Sequence, residues 1–334
     1  MKFSKKNQLS SELLIVDGLW GVGKSVITEL VSVFDNMECW NLEMPFDHIP
    51  ILYEAQALDQ DSAIAVIRNL FDELTYNMCI SRSVNFRYKD RSSIFHHPKK
   101  YNYLLRMLEQ DGDSSLRKIS ENKMIIPVAT HTSSSNNDLF LRALGKRCKI
   151  IRCVRHPVFI VHHWADYIWR CQTDPRDFTL KIDYNGEDIP FFADGWEEEY
   201  LEANNLEKSI KSISLLTDSY NHNFHQMKKK YSKESILEVS FEEAVKNTDD
   251  TIALISKFIN QDVNNKVYKK VKKRARLPRG TIRSDFGYAF TKNYSTKESV
   301  DQIEIKKRLG LIKNKIRPKY YHELVRLSGE YESR

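Results

Sequence analysis

Apolar residues along the chain fall either in short continuous runs or in longer stretches with helical spacing. The short runs are typical of buried strands and cover residues 13–16, 37–42, 123–131, 149–155 and 235–241. Apolar positions three and four residues apart predict helices at 26–34, 61–82, 138–144, 158–170, 196–230 and 248–259. Strands that alternate with helices predict a doubly wound α/β fold, with a parallel sheet flanked by helices.

The size and composition of the chain fit one such domain. Its 334 residues are 41% hydrophobic and 29% charged, as in ordinary soluble globular proteins. We expect a single α/β domain over 1–334, in which 261–334 forms a basic loop and a helical C-terminal extension. No apolar run approaches the ~20 residues of a membrane span, so we expect no span.

The net charge and the cysteines indicate which ligands the protein binds and in which compartment it lies. The formal net charge of +7 is a modest excess, which suits anionic small ligands and by itself does not indicate nucleic-acid binding. The five cysteines are scattered and contain no C-x-x-C pair, as expected for reduced thiols. We therefore expect a cytoplasmic protein and no nucleic-acid partner.

A glycine-rich loop follows the first predicted strand. Gly18, Gly23, Lys24 and Ser25 satisfy the spacing G-x-x-x-x-G-K-[ST], and the next residues read as a helix. In this context the loop N–H groups and the helix N-terminus attract phosphate oxygens. Lys24 adds a positive charge and Ser25 a hydroxyl. The loop therefore predicts a phosphate site, without specifying which phosphate compound it binds.

Two further strands end in residues that suit an anionic ligand and a proton transfer. Arg155 ends the strand at 149–155, at the edge where ligands of parallel sheets bind, and a guanidinium can form two parallel hydrogen bonds with a phosphate. His131 ends the strand at 123–131, and histidine has a pKa near working pH. Both residues are candidates for the site.

The order of these elements resembles that of sulfotransferases that use PAPS (3′-phosphoadenosine 5′-phosphosulfate). Arg155 occupies the position of the arginine that binds the 3′-phosphate in this family. His163 stands where the family has a serine, eight residues later. His131, in Thr130-His131, is similar to the family's histidine, which removes a proton from the acceptor hydroxyl.

The C-terminal half carries the resemblance further. Residues 236–251 look like a strand-helix unit of the family. Arg279-Gly280, followed by Asp285-Phe286, is similar to the family's Lys-Gly loop over the 3′-phosphate. The opening loop departs from the family: Gly21 takes the place of a basic residue, and the positive charge lies instead on Lys24.

The resemblance implies a P-loop nucleotide-binding fold of sulfotransferase type and transfer of a sulfuryl group from PAPS to a hydroxyl or amine. The product would be PAP, no metal would be needed, and the acceptor would be a small molecule or a carbohydrate. It gives His131 and Lys24 catalytic roles. The residues expected to bind the donor are Gly21, Val22, Gly23, Lys24, Ser25, Arg155, His163, Arg279 and Gly280.

Two alternatives remain open from the sequence. A P-loop kinase that phosphorylates a nucleoside or other small molecule with ATP is favoured by the complete loop pattern, by Asp17 before it, and by Asp90-Arg91-Ser92. A nucleotide-regulated binding protein would use the basic segment 266–276 for an anionic partner. Candidate acceptor walls are the basic, aromatic segment 81–103 and a stretch that contains Trp164, Trp169 and Trp196.

Overall fold

The computed structural model describes residues 2–109, 112–131, 137–280 and 301–334. The strands in these residues are β1 (Glu12–Asp17), β2 (Ile125–Ala129), β3 (Cys148–Val154), β4 (Lys181–Tyr184), β5 (Glu187–Pro190) and β6 (Ile236–Ser240). The helices are α1 (Lys24–Val31), α2 (Met44–Glu54), α3 (Gln60–Cys79), α4 (Lys100–Arg106), α5 (Asp113–Asn122), α6 (Asp138–Leu144), α7 (Val161–Thr173), α8 (Glu197–Glu202), α9 (Asn205–Lys230), α10 (Phe241–Lys246), α11 (Thr248–Ile259), α12 (Asn265–Ala275), α13 (Asp301–Lys313) and α14 (Pro318–Glu332).

The central sheet has the strand order β2-β1-β3-β6. β1 pairs in parallel with β2 on one side and with β3 on the other. Because the strands are parallel, the C-terminal ends of β1, β2 and β3 lie at one edge, which is where ligands of open α/β sheets bind. The predicted α/β class, with a parallel sheet flanked by helices, is confirmed.

Both faces of β1 are covered. Leu13 and Ile15 belong to a buried cluster with apolar residues of α3 and α6. Leu14 and Val16 alternate with them and are also buried, so a second layer covers the opposite face. Helix α1 contacts β1 and packs with α10, α11 and α12, which supplies that layer.

The expected strand at 37–42 is reduced to two isolated bridges, Met37 with Ile125 and Asn41 with Val128. The cause lies in β2. The N–H groups of Ile125 and Ala129 donate toward the 36–41 segment, each at 2.9 Å. Pro127 lies between them and has no N–H, so the ladder is broken at its centre.

Two other boundaries differ from the sequence prediction. The predicted helix at 196–230 is split into α8 and α9, because Asn204 and Glu207 form a capping box at the start of α9. The Asn204 side chain accepts from the Glu207 N–H at 3.1 Å, and the Asn204 N–H donates to the Glu207 carboxylate at 3.2 Å. Within 171–195, where the apolar pattern predicts neither a strand nor a helix, β4 and β5 form a hairpin. Asn185 and Gly186 make its turn with positive φ angles of 55° and 85°.

The chain folds into two compact units. The first comprises Met1–Gly18, Gly23–Cys153 and Asn223–Pro278, and the second comprises Leu19–Val22, Val154–His222 and Arg279–Arg334. The expectation of a single domain over the whole chain stays a prediction.

In the second unit, the C-terminal helices are fixed by a buried carboxylate. Glu207 of α9 accepts two hydrogen bonds from the Arg317 guanidinium, at 3.0 and 2.9 Å. Tyr320 of α14 donates to Glu199 of α8 at 2.7 Å. Leu324 is fully buried, so α14 is part of the core of this unit and not only a surface extension.

Candidate active site

The glycine-rich loop lies at the C-terminal end of β1 and is divided between the two units, each described with its own part. In the first unit, Gly23 precedes α1 with a φ of 91°. A Cβ at Gly23 would lie 2.1 Å from the ring of Phe241, so both the backbone and the packing require glycine. This is the close backbone turn that a phosphate-binding loop needs.

Lys24 is buried beneath the loop. Its side chain is folded back so that the ammonium group donates a hydrogen bond to the carbonyl of Gly18. Burial lowers the pKa of Lys24, and the neighbouring carboxylate of Asp17 acts in the opposite direction. The loop therefore holds its lysine in a fixed position at the sheet edge.

Asp17, the last residue of β1, joins three elements. Its Oδ1 accepts from the Thr130 hydroxyl at 2.7 Å, and its Oδ2 accepts from the Asn137 side chain at 2.9 Å. Its side chain is completely buried, and burial raises its pKa, partly offset by the Thr130 hydrogen bond. Both carboxylate oxygens are thus engaged with protein donors, as expected for a residue that organises the site.

His131 follows β2 and is oriented by Asp47 of α2. Its backbone N–H donates to Asp47 Oδ1 at 2.7 Å, and its Nδ1 lies 3.2 Å from Asp47 Oδ2. Because a carboxylate only accepts, Nδ1 carries the proton and Nε2 is the acceptor of the ring. Burial and, after it, the charge of Lys24 lower the pKa of His131, while Asp47 raises it. The imidazole is therefore neutral at neutral pH and able to take a proton.

These contacts bring the two predicted catalytic residues, Lys24 and His131, into one electrostatic cluster with Asp17 and Asp47. The sequence did not single out Asp47. It lies in the first turn of a helix, where acidic residues are common, and the available signal was only its place after Pro45 at the start of that helix.

Arg91 is a second residue whose contact the sequence did not reveal. Its Nη1 donates to the Ser25 hydroxyl oxygen at 2.7 Å, across 66 positions of sequence. The predicted basic, aromatic segment 81–103 therefore reaches the phosphate loop. The adjacent Asp90 accepts from the side chain of Asn85 at 3.1 Å.

In the second unit, two predicted donor-binding residues contact the loop at Gly21. Arg155 Nη1 donates to the Gly21 carbonyl at 3.0 Å. A Cβ at Gly21, whose φ is 83°, would lie 2.9 Å from the ring of His163. Val22 is buried, and its N–H lies 3.4 Å from the Leu19 carbonyl. Arg155, His163 and the loop segment thus form one local arrangement.

Aromatic side chains hold this segment of the loop. Trp20 stacks on Tyr167 with ring centroids 4.0 Å apart, and the indole N–H of Trp164 donates to the Trp20 carbonyl at 3.0 Å. Trp164 and Trp196 are buried, whereas Trp169 is 57% exposed. Trp164 therefore supports the loop, which differs from the role of acceptor wall suggested by the sequence.

Arg279 and Gly280 are the last two residues of the described range 137–280. No neighbouring atom would obstruct a Cβ at Gly280. Their assignment to the 3′-phosphate stays a prediction, and the Asp285-Phe286 pair lies outside the described residues. The described part of the chain contains no group of three or more His, Cys, Asp or Glu side chains suited to a metal ion. None of its helices is long and apolar enough to cross a membrane.

No protein-family model and no curated protein matches the chain. Among solved structures, it is similar to a sulfotransferase from Mycobacterium avium, at 11% identity over 80% of this chain and 68% of the other, with a TM-score of 0.42. It is also similar to the sulfotransferase domain of the Synechococcus PCC 7002 olefin synthase, at 11% identity over 93% and 98% of the two chains, with a TM-score of 0.39.

A mouse sulfotransferase complexed with PAP is 12% identical over 97% of this chain and 84% of the other, with a TM-score of 0.40. All three neighbours are described as sulfotransferases or a sulfotransferase domain. Their low identities and TM-scores describe a distant likeness, and the functional assignment depends on the residues of this chain.

Proposed function

We propose that the protein is a PAPS-dependent sulfotransferase that moves a sulfuryl group to a hydroxyl or amine of a small-molecule or carbohydrate acceptor. The observation that carries this proposal is the pair of hydrogen bonds with which Asp47 orients His131, at the sheet edge that also carries Lys24. A proton acceptor and a fixed cation at one sheet edge are what group transfer to a hydroxyl requires.

His131 would remove the acceptor proton through Nε2, because Nδ1–H is held by Asp47. The acceptor oxygen or nitrogen then bonds to sulfur while the bond from sulfur to the phosphate oxygen breaks, which releases PAP. The charge that develops on the leaving oxygen would be balanced by Lys24. The imidazolium that forms would be stabilised by Asp47, as in other carboxylate–histidine pairs.

The loop fits the phosphosulfate end of such a donor. Gly21 and Gly23 have backbone conformations and close neighbours that exclude a Cβ, which leaves the main chain as the binding surface. The N-terminus of α1 adds a partial positive charge. From the resemblance, Arg155, His163, Arg279 and Gly280 would bind the 3′-phosphate, and the contact of Arg155 with Gly21 supports its assignment to the donor side.

The alternative is an ATP-dependent kinase, favoured by the contact of Arg91, from Asp90-Arg91-Ser92, with the loop. In such sites the loop hydroxyl, here that of Ser25, coordinates Mg²⁺. A guanidinium at 2.7 Å from the Ser25 oxygen competes with a divalent cation for the same lone pairs and repels it. Asp17 also has both oxygens engaged with protein donors. We therefore prefer the metal-independent donor; the cytoplasmic location stays a prediction.

The test is sulfuryl transfer from ³⁵S-labelled PAPS to a panel of phenols, sugars and amines. His131→Gln is expected to lower kcat about 100-fold or more, because the proton acceptor is lost, and to leave the affinity for PAP nearly unchanged. His225→Gln is the matched control, since His225 is an exposed histidine on α9. Unchanged kcat in His131→Gln would remove the base assignment.

A further inference from the structure

Residues 85–94 form a loop, called loop 85–94 below, which the side chain of Asn85 holds in one conformation. Its amide donates to Asp90 at 3.1 Å and to the Ser92 hydroxyl at 2.9 Å, while its carbonyl oxygen accepts from the Arg87 N–H at 2.8 Å. The Ile94 N–H donates to the backbone carbonyl of Asn85 at 2.9 Å, and this bond joins the two ends of the loop. The geometry of the loop is therefore fixed by its own polar contacts.

Further contacts fix the loop on the first unit. Ile94 is fully buried in the core. The Cys39 thiol lies 3.2 Å from the Ser92 carbonyl, in the residue next to Arg91. Arg274 of α12 donates to the His96 carbonyl and lies 3.7 Å from Glu29 of α1. Through Arg274, the segment directly after the loop is thus linked to the helix that carries Ser25.

This rigid loop presents Arg91 to Ser25. Because the guanidinium donates to the Ser25 oxygen, the hydroxyl proton of Ser25 points away from Arg91. A hydroxyl that accepts a hydrogen bond from a cation is itself a stronger donor. An anion at the loop would then receive a hydrogen bond from Ser25 and the positive charge of Arg91.

We propose that Arg91 is an anion-binding residue of the phosphate loop and supplies the charge that a divalent metal ion supplies in triphosphate sites. The ligand class is a phosphate- or sulfate-bearing anion that binds without a metal. The inference rests on the proposed function only for the identity of the donor, because the contact of Arg91 with Ser25 does not depend on the nucleotide. Because Arg91 lies in segment 81–103, this segment would contact the donor as well as being a candidate wall of the acceptor site.

The experiment is calorimetric titration with inorganic pyrophosphate in EDTA, repeated with excess Mg²⁺. Wild type is expected to bind in EDTA, and Arg91→Ala is expected to bind about 10- to 100-fold more weakly, the range for loss of a charged hydrogen bond. Arg91→Lys should recover part of the affinity, because it keeps the charge without the planar fork. Arg91 is exposed, so the thermal unfolding midpoint of the free variant should match that of wild type.

Arg87→Ala is the matched control. Arg87 belongs to the same loop, its side chain is 84% exposed, and it pairs with Asp90 at 3.5 Å rather than with the phosphate loop. It should bind pyrophosphate like wild type. Equal affinity of Arg91→Ala and wild type would overturn the inference, as would binding that requires Mg²⁺. Failure of PAPS as a donor, with the pyrophosphate results intact, would count against the proposed function alone.

Discussion

Asp47 accepts two hydrogen bonds from His131, one from the backbone N–H at 2.7 Å and one from the ring Nδ1 at 3.2 Å. The pair fixes both the position and the tautomer of the imidazole. Asp47 is buried, so this contact is little weakened by solvent. With Nδ1 protonated, Nε2 is the ring atom that would take the proton from the hydroxyl or amine of the acceptor substrate.

Asp47→Asn is therefore expected to reduce kcat on the order of 100-fold, because an amide can donate to Nδ1 and favour the wrong tautomer. The pKa of His131 already lies below 6.5, and Asp47 raises it, so loss of the carboxylate lowers it further. The acidic limb of the pH–rate profile, where the base becomes protonated, should lie below pH 6.5 in wild type and move to still lower pH in the variant.

The affinity of Asp47→Asn for PAP separates this role from a general loss of structure. It should be close to that of wild type, because the two hydrogen bonds that Asp47 accepts from His131 orient the base. A variant with normal kcat and an unshifted acidic limb would show that Asp47 does not orient the base.

Gly23→Ala is expected to weaken both stability and PAP binding. An alanine at a φ of 91° costs about 1–2 kcal/mol, and the added Cβ would also meet the Phe241 ring at 2.1 Å. Thermal unfolding and PAP titration measure the two effects. Gly186→Ala isolates the backbone cost, because Gly186 has a φ of 85° and no atom within 4 Å of the added Cβ.

The cost of Gly23→Ala should exceed that of Gly186→Ala, and it should shrink in a Phe241→Leu background, where the ring is removed. Equal free energies of unfolding for the two glycine variants would mean that packing against Phe241 does not restrict the loop.

His97 is expected to contribute to acid sensitivity. It is buried, its Nδ1 accepts from the Lys99 N–H at 3.2 Å, and burial lowers its pKa from 6.5 to about 3. Between pH 6.5 and 3 the unfolded chain binds a proton that the folded chain does not, so the free energy of unfolding falls as pH falls. Urea unfolding at several pH values should show a shallower decline for His97→Phe, whose ring cannot be protonated. Parallel curves for the two proteins would contradict this account.

Local patterns were sufficient for the core elements. The apolar run before the glycines became β1, the loop spacing placed α1, and α6 covers the predicted residues 138–144. The missing strand at 37–42 depended on Pro127, which belongs to another strand, and its effect appears only when the two segments are paired. Patterns within one segment do not contain that information.

The residues of the site also differ in how far the sequence predicts their contacts. Lys24 and His131 were predictable because each follows a strand whose C-terminal end lies at the ligand edge. The contact of Asp47 with His131 and that of Arg91 with Ser25 join positions 84 and 66 residues apart. They depend on how helix α2 and loop 85–94 pack, and the sequence around each residue gives no sign of its partner.

The identity of the bound nucleotide is the central claim, and calorimetric titration of the wild-type chain with PAP in EDTA, beside ATP with Mg²⁺, tests it most directly. We expect saturable PAP binding without metal, weakened by Arg155→Ala, and much weaker binding of ATP–Mg²⁺. Tight binding of ATP–Mg²⁺ with no detectable binding of PAP would contradict it and favour the kinase.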